Sequence, residues 1–576
     1  MTIHCLGNGR VCVYGRGAEV IQAFGPSYSS PTAFSVRTDL RDTETRKISH
    51  IAFSHVSPDA ELLDYLPDEA DLFVRIVRGR ASFVVTGESA VFEETPYPGT
   101  YLASTRPGAY MMGGNDREPD GVSYGYPSAR FRHTALAVSG DAVSRRTGDG
   151  QIRIETDGEA VLRFGFDGDP VRLFETMARA AASPLPPADS PSLRPPREIA
   201  VSPEHPYFGA VCDGYDVIAA QQSEAGSVLA GYNYHMCYVR DSYGVLRFLL
   251  AAGALNRARR LVRYFIGVFD SFGAVHNAQG MTEYGFHIHE NDDVEITGYL
   301  VLMLTEYARV SGDRETAEAG FPLAAHCLGR QHENLCGGVL PFNGDETYVA
   351  GGFLPRSALN DGSAEATSLY RRAISEAVSL FGAGKLGELY GLLLRDAAEI
   401  DEVFGMRFFG PGGTFYCNCP GTGRIPEIRA GGVRACGHWL GISFRNKNGD
   451  YVCPRCLNRE LPPAFPGLYG KRFETESAVL GPAFAGTELL SRETTERIAG
   501  RILRTLPGRR SFVGYEYGMA VYVLGRCGGE TAGRMLSLRD EFGAWSEYYE
   551  DGAQAGTLCR PWETAVNLTA LLTAKG

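Results

Sequence analysis

The stretch Ser183-Pro184-Leu185-Pro186-Pro187, continued by Arg194-Pro195-Pro196-Arg197, divides the chain into two parts of different character. Proline fixes φ and removes a backbone donor, so the segment can be neither helix nor central strand and reads as a linker over residues 183–205. Before it, over residues 1–182, short runs rich in Val, Phe, Tyr and Thr alternate with Gly, Pro and Asp turns. Examples are Gly9-Arg10-Val11-Cys12-Val13-Tyr14, Asp71-Leu72-Phe73-Val74-Arg75-Ile76-Val77 and Ala81-Ser82-Phe83-Val84-Val85-Thr86. Runs spaced in this way predict an antiparallel β-sandwich, and no clean helical period is found before about residue 170.

After about residue 206 the period becomes helical. Asp241 to Leu255, Asn256 to Phe269, Asp293 to Val310 and Arg314 to His332 carry apolar residues at three-and-four spacing. Ala364 to Phe381, Lys385 to Val403, Thr475 to Leu490, Glu493 to Leu506, Tyr515 to Leu524, Glu530 to Arg539 and Trp562 to Ala574 follow, with a shorter segment near Gly214 to Gln222. Asp241 and Asn291 stand where N-caps belong, and Gly312 stands just past a helix end. These segments amount to about twelve helices, which suits a toroid of six hairpins or a solenoid; the lack of a fixed repeat period favours the toroid. The expected architecture is multidomain, β then α: a β-sandwich over 1–182, the linker, and an (α/α)6 barrel over 206–576.

Length and composition agree with this division. A chain of 576 residues exceeds what one core supports. With 44% hydrophobic and 22% charged residues it reads as a globular protein. The net charge of -12 disfavours nucleic acid and anionic membrane as partners and leaves a neutral ligand such as a sugar. Met1 to Gly15 lacks the basic-then-apolar pattern of a secretory signal, and no apolar run is long enough to span a bilayer, so a cytoplasmic location is expected.

Between Gly410 and Phe465 the helical period stops for more than fifty residues, too long for a structureless loop in a compact domain. Five of the thirteen cysteines crowd into this stretch: Cys417 and Cys419, Cys436 (followed by His438), and Cys453-Pro-Arg-Cys456. Their clustering in a chain expected to be reduced reads as a metal site. The expected ligands are Cys417, Cys419, Cys453 and Cys456, with Cys436 as an alternate, and the expected metal is a structural zinc that organises an insert over 410–465. Free thiols or a redox role are the alternatives. His287, His289 and Glu290 also look metal-like, but a His-X-His at a loop-to-helix junction is more often packing or ligand contact.

Cleaving an acetal needs a protonated carboxyl at the leaving oxygen and a carboxylate that handles water on the opposite face. Composition alone cannot select that pair. Three segments, however, resemble the active-site segments of glycoside hydrolase family 15, the bacterial glucoamylase and glucodextranase group. Tyr232-Asn-Tyr234-His-Met-Cys-Tyr238-Val-Arg240-Asp241-Ser242 is similar to that family's aromatic-X-X-Arg-Asp segment. Leu340-Pro-Phe-Asn-Gly-Asp345-Glu346-Thr347 falls where the family carries its general acid. Trp545-Ser-Glu547-Tyr-Tyr-Glu-Asp-Gly552, followed by Arg560-Pro-Trp562-Glu-Thr-Ala565, resembles the segment with the catalytic base and the helix after it.

The resemblance covers most of the chain and implies an inverting, exo-acting hydrolase that releases a terminal sugar, most simply glucose, from a small α-glucoside. It implies Glu346 as general acid and Glu547 as general base. Tyr234, Arg240, Asp241, Asp345, Trp545, Arg560 and Trp562 are then the expected substrate contacts. Asp345 beside Glu346 would raise its pKa, and Arg560, if it meets Glu547 in space, would keep that carboxylate ionised. The chain departs from the family in having three tryptophans in total, in replacing the Trp-containing acid segment, and in carrying the cysteine insert. An inverting disaccharide phosphorylase and a non-catalytic carbohydrate-binding protein are the rival readings. Glu547 weighs against the first, because phosphate in place of water needs no carboxylate base.

Overall fold

The computed structural model describes residues 2–30, 32–88, 90–105, 132–281, 286–287, 292–340, 362–419, 444–445, 451–452 and 479–575. The β-forming runs before residue 168 join one twelve-stranded antiparallel sheet. Its strands are β1 (His4–Gly7), β2 (Cys12–Arg16), β3 (Glu19–Phe24), β4 (Phe34–Thr38), β5 (Glu44–Ser49), β6 (Ala52–Val56), β7 (Ala60–Tyr65), β8 (Leu72–Gly87), β9 (Glu93–Glu94), β10 (Thr100–Thr105), β11 (Arg132–Arg146) and β12 (Ile152–Asp167). The order is β1-β2-β3-β4-β8-β12-β11-β10-β9, with β7, β6 and β5 branching from β8.

The branch is possible because β8 is about three times the usual strand length and divides its edge between two partners. Val74–Gly79 pairs with β7 and Phe34–Thr38 pairs with its far end, while β12 runs beside almost all of it. The bend falls where Gly79 faces Gly158, both at positive φ, and a Cβ at Gly79 would meet the Asp59 carbonyl. A register break between Gly140 and Ala142 lies at the same level of β11. The sheet therefore encloses its own core, with Phe34 stacked on Phe164 at 4.0 Å and Ile76, Leu62 and Val13 in the same cluster. The sequence predicts two layers; they are parts of one continuous hydrogen-bonded ladder.

A buried charge cluster crosses this core. Arg75 donates to both carboxylate oxygens of Asp64, at 2.7 and 2.6 Å, and His55 Nε2 stands 3.3 Å from the same group. The part before the linker also holds a helix, α1 (Pro170–Ala182), capped by Asp169 and beginning where the helical period ceases to be absent. Its Leu173 and Met177 cover Leu72 and Ala135 on the outside of the sheet. The proline-rich segment is strapped down: Leu193 is buried in the β core and Arg197 forks onto Asp216 at 2.9 and 2.7 Å.

Beyond it, the described residues form α2 (Phe208–Gln221), α3 (Val239–Ala251), α4 (Leu255–Phe272), α5 (Thr297–Ser311), α6 (Arg314–Ala319), α7 (Phe321–Asn334), α8 (Ala364–Leu386), α9 (Glu388–Phe408), α10 (Leu480–Phe484), α11 (Arg492–Thr505), α12 (Glu516–Leu524), α13 (Gly529–Ser537) and α14 (Pro561–Thr573). Helix α3 packs on α5, α5 on α8, α8 on α10, α10 on α12, α12 on α14, and α14 back on α3. Against this closed series lie α4, α7, α9, α11 and α2. Burial separates the two sets: α5 and α14 are buried on nearly every face, whereas α11 buries only Thr495, Ile498, Ala499 and Ile502. Gly312 closes α5 in the left-handed conformation, as expected. Asp241 is not an N-cap but lies inside the first turn of α3, and Asn291 is outside the described residues. The period over Arg314 to His332 is broken into two helices at Gly320.

The two parts share an interface. Cys12, Tyr14 and Phe24 of the sheet, and Tyr28 of the turn after β3, belong to the helical core cluster. Tyr14 Oη donates to Gln221 Oε1 at 2.6 Å, and Tyr28 Oη donates to the Ala220 carbonyl at 2.7 Å. Lys47 pairs with Asp213 at 2.5 Å. In the other direction Phe542 enters the β core, its ring 5.4 Å from both His4 and Phe53.

Candidate active site

Four helices of the closed series carry an acid in the first turn: Asp241 in α3, Glu365 in α8, Glu516 in α12 and Glu563 in α14. The helix dipole favours negative charge there. Polar contacts draw these ends together. Tyr299 near the start of α5 donates to Glu365 at 2.8 Å, and the buried Asn567 of α14 donates to the Gly514 carbonyl, just before α12, at 2.8 Å. Arg240 Nε meets Glu295 at 2.9 Å, linking α3 to the π-helical turn Asp292–Ile296 that leads into α5.

Arg560 is the centre of the charged group. It is the residue preceding α14, where Pro561 at the first helical position fixes the entry angle. Its backbone N–H bonds the Trp545 carbonyl at 3.2 Å, which holds this strand against the one that carries Glu547. Its guanidinium is buried and fully engaged: Nε donates to Glu563 Oε2 at 2.8 Å, Nη2 lies 2.9 Å from Asp241 Oδ1, and Nη1 bonds the Ala230 carbonyl. The Tyr234 ring lies under it, 5.6 Å from centroid to guanidinium carbon.

Glu547 directly precedes a hairpin of Tyr548–Glu550 and Ala553–Ala555, with Asp551 and Gly552 both at positive φ in the turn. Ser511–Val513 completes a three-stranded sheet. The Glu547 backbone is bonded on both sides, to Thr557 at 3.0 Å and Gly514 at 2.8 Å, and its Oε2 accepts the Thr557 N–H at 2.9 Å. The half-buried carboxylate is thus placed by a rigid frame.

One guanidinium contacts two carboxylates, Glu563 and Asp241, and feels the charge of a third, Glu547, and the electrostatics follow. Burial pushes the Asp241 carboxyl up, opposed by Arg560 and Arg240 and assisted by the charge of Glu547. Glu563 is pushed up to about 7, first by burial and then, against the pull of Arg560, by Asp241 and Glu547. Burial works against the Arg560 charge, yet Glu563, Asp241 and Glu547 together raise it well above its ordinary value. At neutral pH the cluster holds a permanent cation and a carboxyl near its own midpoint.

The expected residues divide as follows. Tyr234, Asp241, Glu547 and Arg560 form one group, and Arg240 adjoins it, bound to Glu295. Trp562 is buried, 4.8 Å from the Tyr515 ring. Trp545 is fully buried and its indole N–H donates to the Met535 carbonyl at 3.1 Å, so it is a core residue with no face to stack on a sugar ring. Glu346 and Asp345 lie outside the described residues, as do His289 and Glu290. Glu563 and Glu295 are the acids that sequence reasoning did not assign; an acid three residues into a helix signals only a helix start, and nothing local distinguishes Glu563.

Of the expected metal ligands, Cys417 and Cys419 are buried beside the start of α8, where Ala364 N–H bonds the Cys417 carbonyl at 3.0 Å and Cys419 N–H bonds the Gly362 carbonyl at 2.9 Å. Cys436, Cys453 and Cys456 lie outside the described residues. Among the described residues no group of three or more His, Cys, Asp or Glu side chains could hold a metal ion, and no helix is long and apolar enough to cross a membrane.

No family model matches the sequence, and no curated protein matches it. Solved structures do match. A bacterial glucoamylase complexed with acarbose superposes with a TM-score of 0.64 at 9% identity, covering 99% of this chain and 93% of that one. A rhamnosidase from Klebsiella oxytoca with rhamnose bound aligns over 93% of this chain and 95% of its own, at 13% identity and a TM-score of 0.43. The chain has the fold of the bacterial glucoamylase along nearly its whole length, both parts included.

Proposed function

We propose that this protein is an inverting, exo-acting glycoside hydrolase that removes a terminal sugar from a small α-glucoside, with Glu547 as the general base. The observation that carries the reading is Glu547, held by Thr557 at the base of a hairpin and close enough for its charge to act on the Arg560–Asp241 pair, on a fold like that of a glucoamylase. The closed series α3-α5-α8-α10-α12-α14, backed by outer helices, supports reading the helical part as an (α/α)6 barrel with its site at the helix N-termini.

In this mechanism Thr557 N–H holds one Glu547 oxygen, leaving the carboxylate to draw a proton from water as that water attacks the anomeric carbon. Asp241 accepts from sugar hydroxyls, fixed in its rotamer by Arg560. Glu346 donates the proton to the leaving oxygen. Its assignment rests on the resemblance of residues 340–347 to the acid segment of glycoside hydrolase family 15. Inversion follows if water alone separates the two carboxyl groups. The acarbose in the glucoamylase structure makes an α-linked oligosaccharide the first substrate class to try.

Within the same proposal, the cysteines of residues 410–465 bind a structural zinc, Cys417 and Cys419 contributing two thiolates next to α8. The chemistry of a thiolate-only donor set fits zinc without a catalytic role.

Proton NMR of the protein with α-linked glucose disaccharides and oligosaccharides, with and without phosphate, tests the reading. Early β-glucose without phosphate is the expected result, with turnover of Glu547→Gln lower by about 10²–10⁴. A requirement for phosphate would replace hydrolysis by phosphorolysis, and full activity in Glu547→Gln would remove the base assignment.

A further inference from the structure

The segment between α2 and α3 that presents Tyr234 to Arg560 is gripped on its other side by the β part of the molecule. Asn233 turns the chain through a left-handed backbone, φ 72°, a conformation that asparagine tolerates better than most side chains. The segment has few backbone bonds: Tyr232 N–H to the Leu558 carbonyl and Tyr234 N–H to the Gly231 carbonyl, both 3.1 Å, and Ala230 N–H to the Met236 carbonyl, 3.1 Å. Cys237 and Tyr238 also pair with Gln279 and Ala278 in a short antiparallel ladder, and residues 232, 233 and 235 are held in addition from the large sheet.

Phe24, the last residue of β3, stacks on the His235 ring at 4.0 Å with 12° between planes. His235 is buried, and burial lowers its pKa to about 4, so the ring is neutral and presents a flat apolar face to Phe24. Its Nε2–H donates to the Tyr28 carbonyl, four residues beyond β3. Gln22 Nε2 reaches Asn233 Oδ1 at 3.5 Å, and the Tyr14 ring packs edge-on to Tyr232 at 5.7 Å. Residues 232, 233 and 235 are thus each held from the sheet, and Tyr234 between them faces the other way, over Arg560.

We infer that Phe24 and Gln22 of the β part are positioning residues of the active site, fixing the 231–238 segment so that Tyr234 and the Arg560–Asp241 pair keep the geometry that receives the terminal sugar. The inference rests on the hydrolase reading for its ligand, but not for its geometry. On this view the sheet is part of the catalytic unit. A modest loosening of the Phe24–His235 stack reaches the sugar site through one residue of chain.

The test compares full-length wild type with Phe24→Leu, Gln22→Ala and Lys47→Met by hydrogen–deuterium exchange and by calorimetric titration with acarbose. Lys47→Met is the control, because it breaks an interface ion pair with Asp213 that does not touch the segment. In Phe24→Leu, amides of residues 232–238 should lose protection and acarbose affinity should fall about tenfold or more, with a smaller effect in Gln22→Ala. Lys47→Met should change neither. Unchanged protection in Phe24→Leu, or an equal loss in Lys47→Met, overturns the inference. If wild type neither binds nor cleaves any α-glucoside while protection falls only in the β3 variants, the hydrolase reading fails and the positioning role stands.

Discussion

Replacing Glu563 by Gln should make the protein more stable in alkali than in acid relative to wild type. The carboxyl is buried, and its folded pKa of about 7 stands above the ordinary 4.5. Because the folded state holds the proton more tightly, the stability this group contributes is fully present below pH 4.5 and is lost as pH rises through 7. At about 1.4 kcal/mol per pH unit the whole effect is about 3 kcal/mol, most of it expressed between pH 5 and pH 8. Above pH 8 wild type carries an ionised carboxylate that shares Arg560 with Asp241, and one guanidinium does not offset the desolvation of both anions. Gln keeps the shape without the charge. Thermal melts of both proteins at pH 5 and pH 8 provide the assay. With an unfolding entropy of about 2.1 cal/mol/K per residue, the gap between variant and wild-type Tm should widen by about 2 °C at pH 8 if the chain melts as one unit. Asp540, another titrating acid, is common to both proteins and largely cancels. A gap that is equal at the two pH values, or narrower at pH 8, would refute the reasoning.

Other expectations follow from the geometry. Arg75→Met strands the buried Asp64 beside His55 and should cost about 3–5 kcal/mol in urea unfolding of the sheet; a loss below about 1 kcal/mol would show that the pair is dispensable. Gly7→Ala would drive a Cβ onto the Ala220 carbonyl and the Tyr28 hydroxyl, and should destabilise by about 1–3 kcal/mol. Gly209→Ala in α2, which meets open space, should be neutral or better by melting temperature; equal effects of the two substitutions would contradict the packing argument. Metal analysis of the purified protein should find about one zinc per chain, with chelation lowering Tm; a protein devoid of zinc would remove the metal proposal.

The sequence revealed the helical part well because each segment there signals its own state: Pro561 and Gly312 mark ends, and the three-and-four spacing marks faces. It revealed the linker from its prolines. The continuous sheet was less legible. That β4 and β7 share β8 joins a local hairpin to a β4–β8 pairing dozens of residues apart, and only Gly79 and Gly158 inside otherwise strong runs hinted at the bend. At the site, the order of Arg240-Asp241, Glu547 and Arg560-Pro561-Trp562 was visible, and the structure brings Asp241, Glu547 and Arg560 together. Trp545 misled because a tryptophan that lines a sugar site and one that plugs a core look alike in one dimension. Glu563 was missed because its chemistry depends on Asp241 and Glu547, which reach it only in space.

The insertion of Phe542 between His4 and Phe53 has a consequence for how the molecule is made. As the polypeptide emerges from the ribosome, the strands of the first part are complete some 375 residues before the ring that fills their core is translated. Until then the pocket around His4 stays open, and the nascent sheet must be shielded or remain loosely packed. Final consolidation of the amino-terminal part therefore waits for the last stretch of translation. A messenger or protease product that ends before residue 542 should yield a chain whose earliest strands are never fully closed.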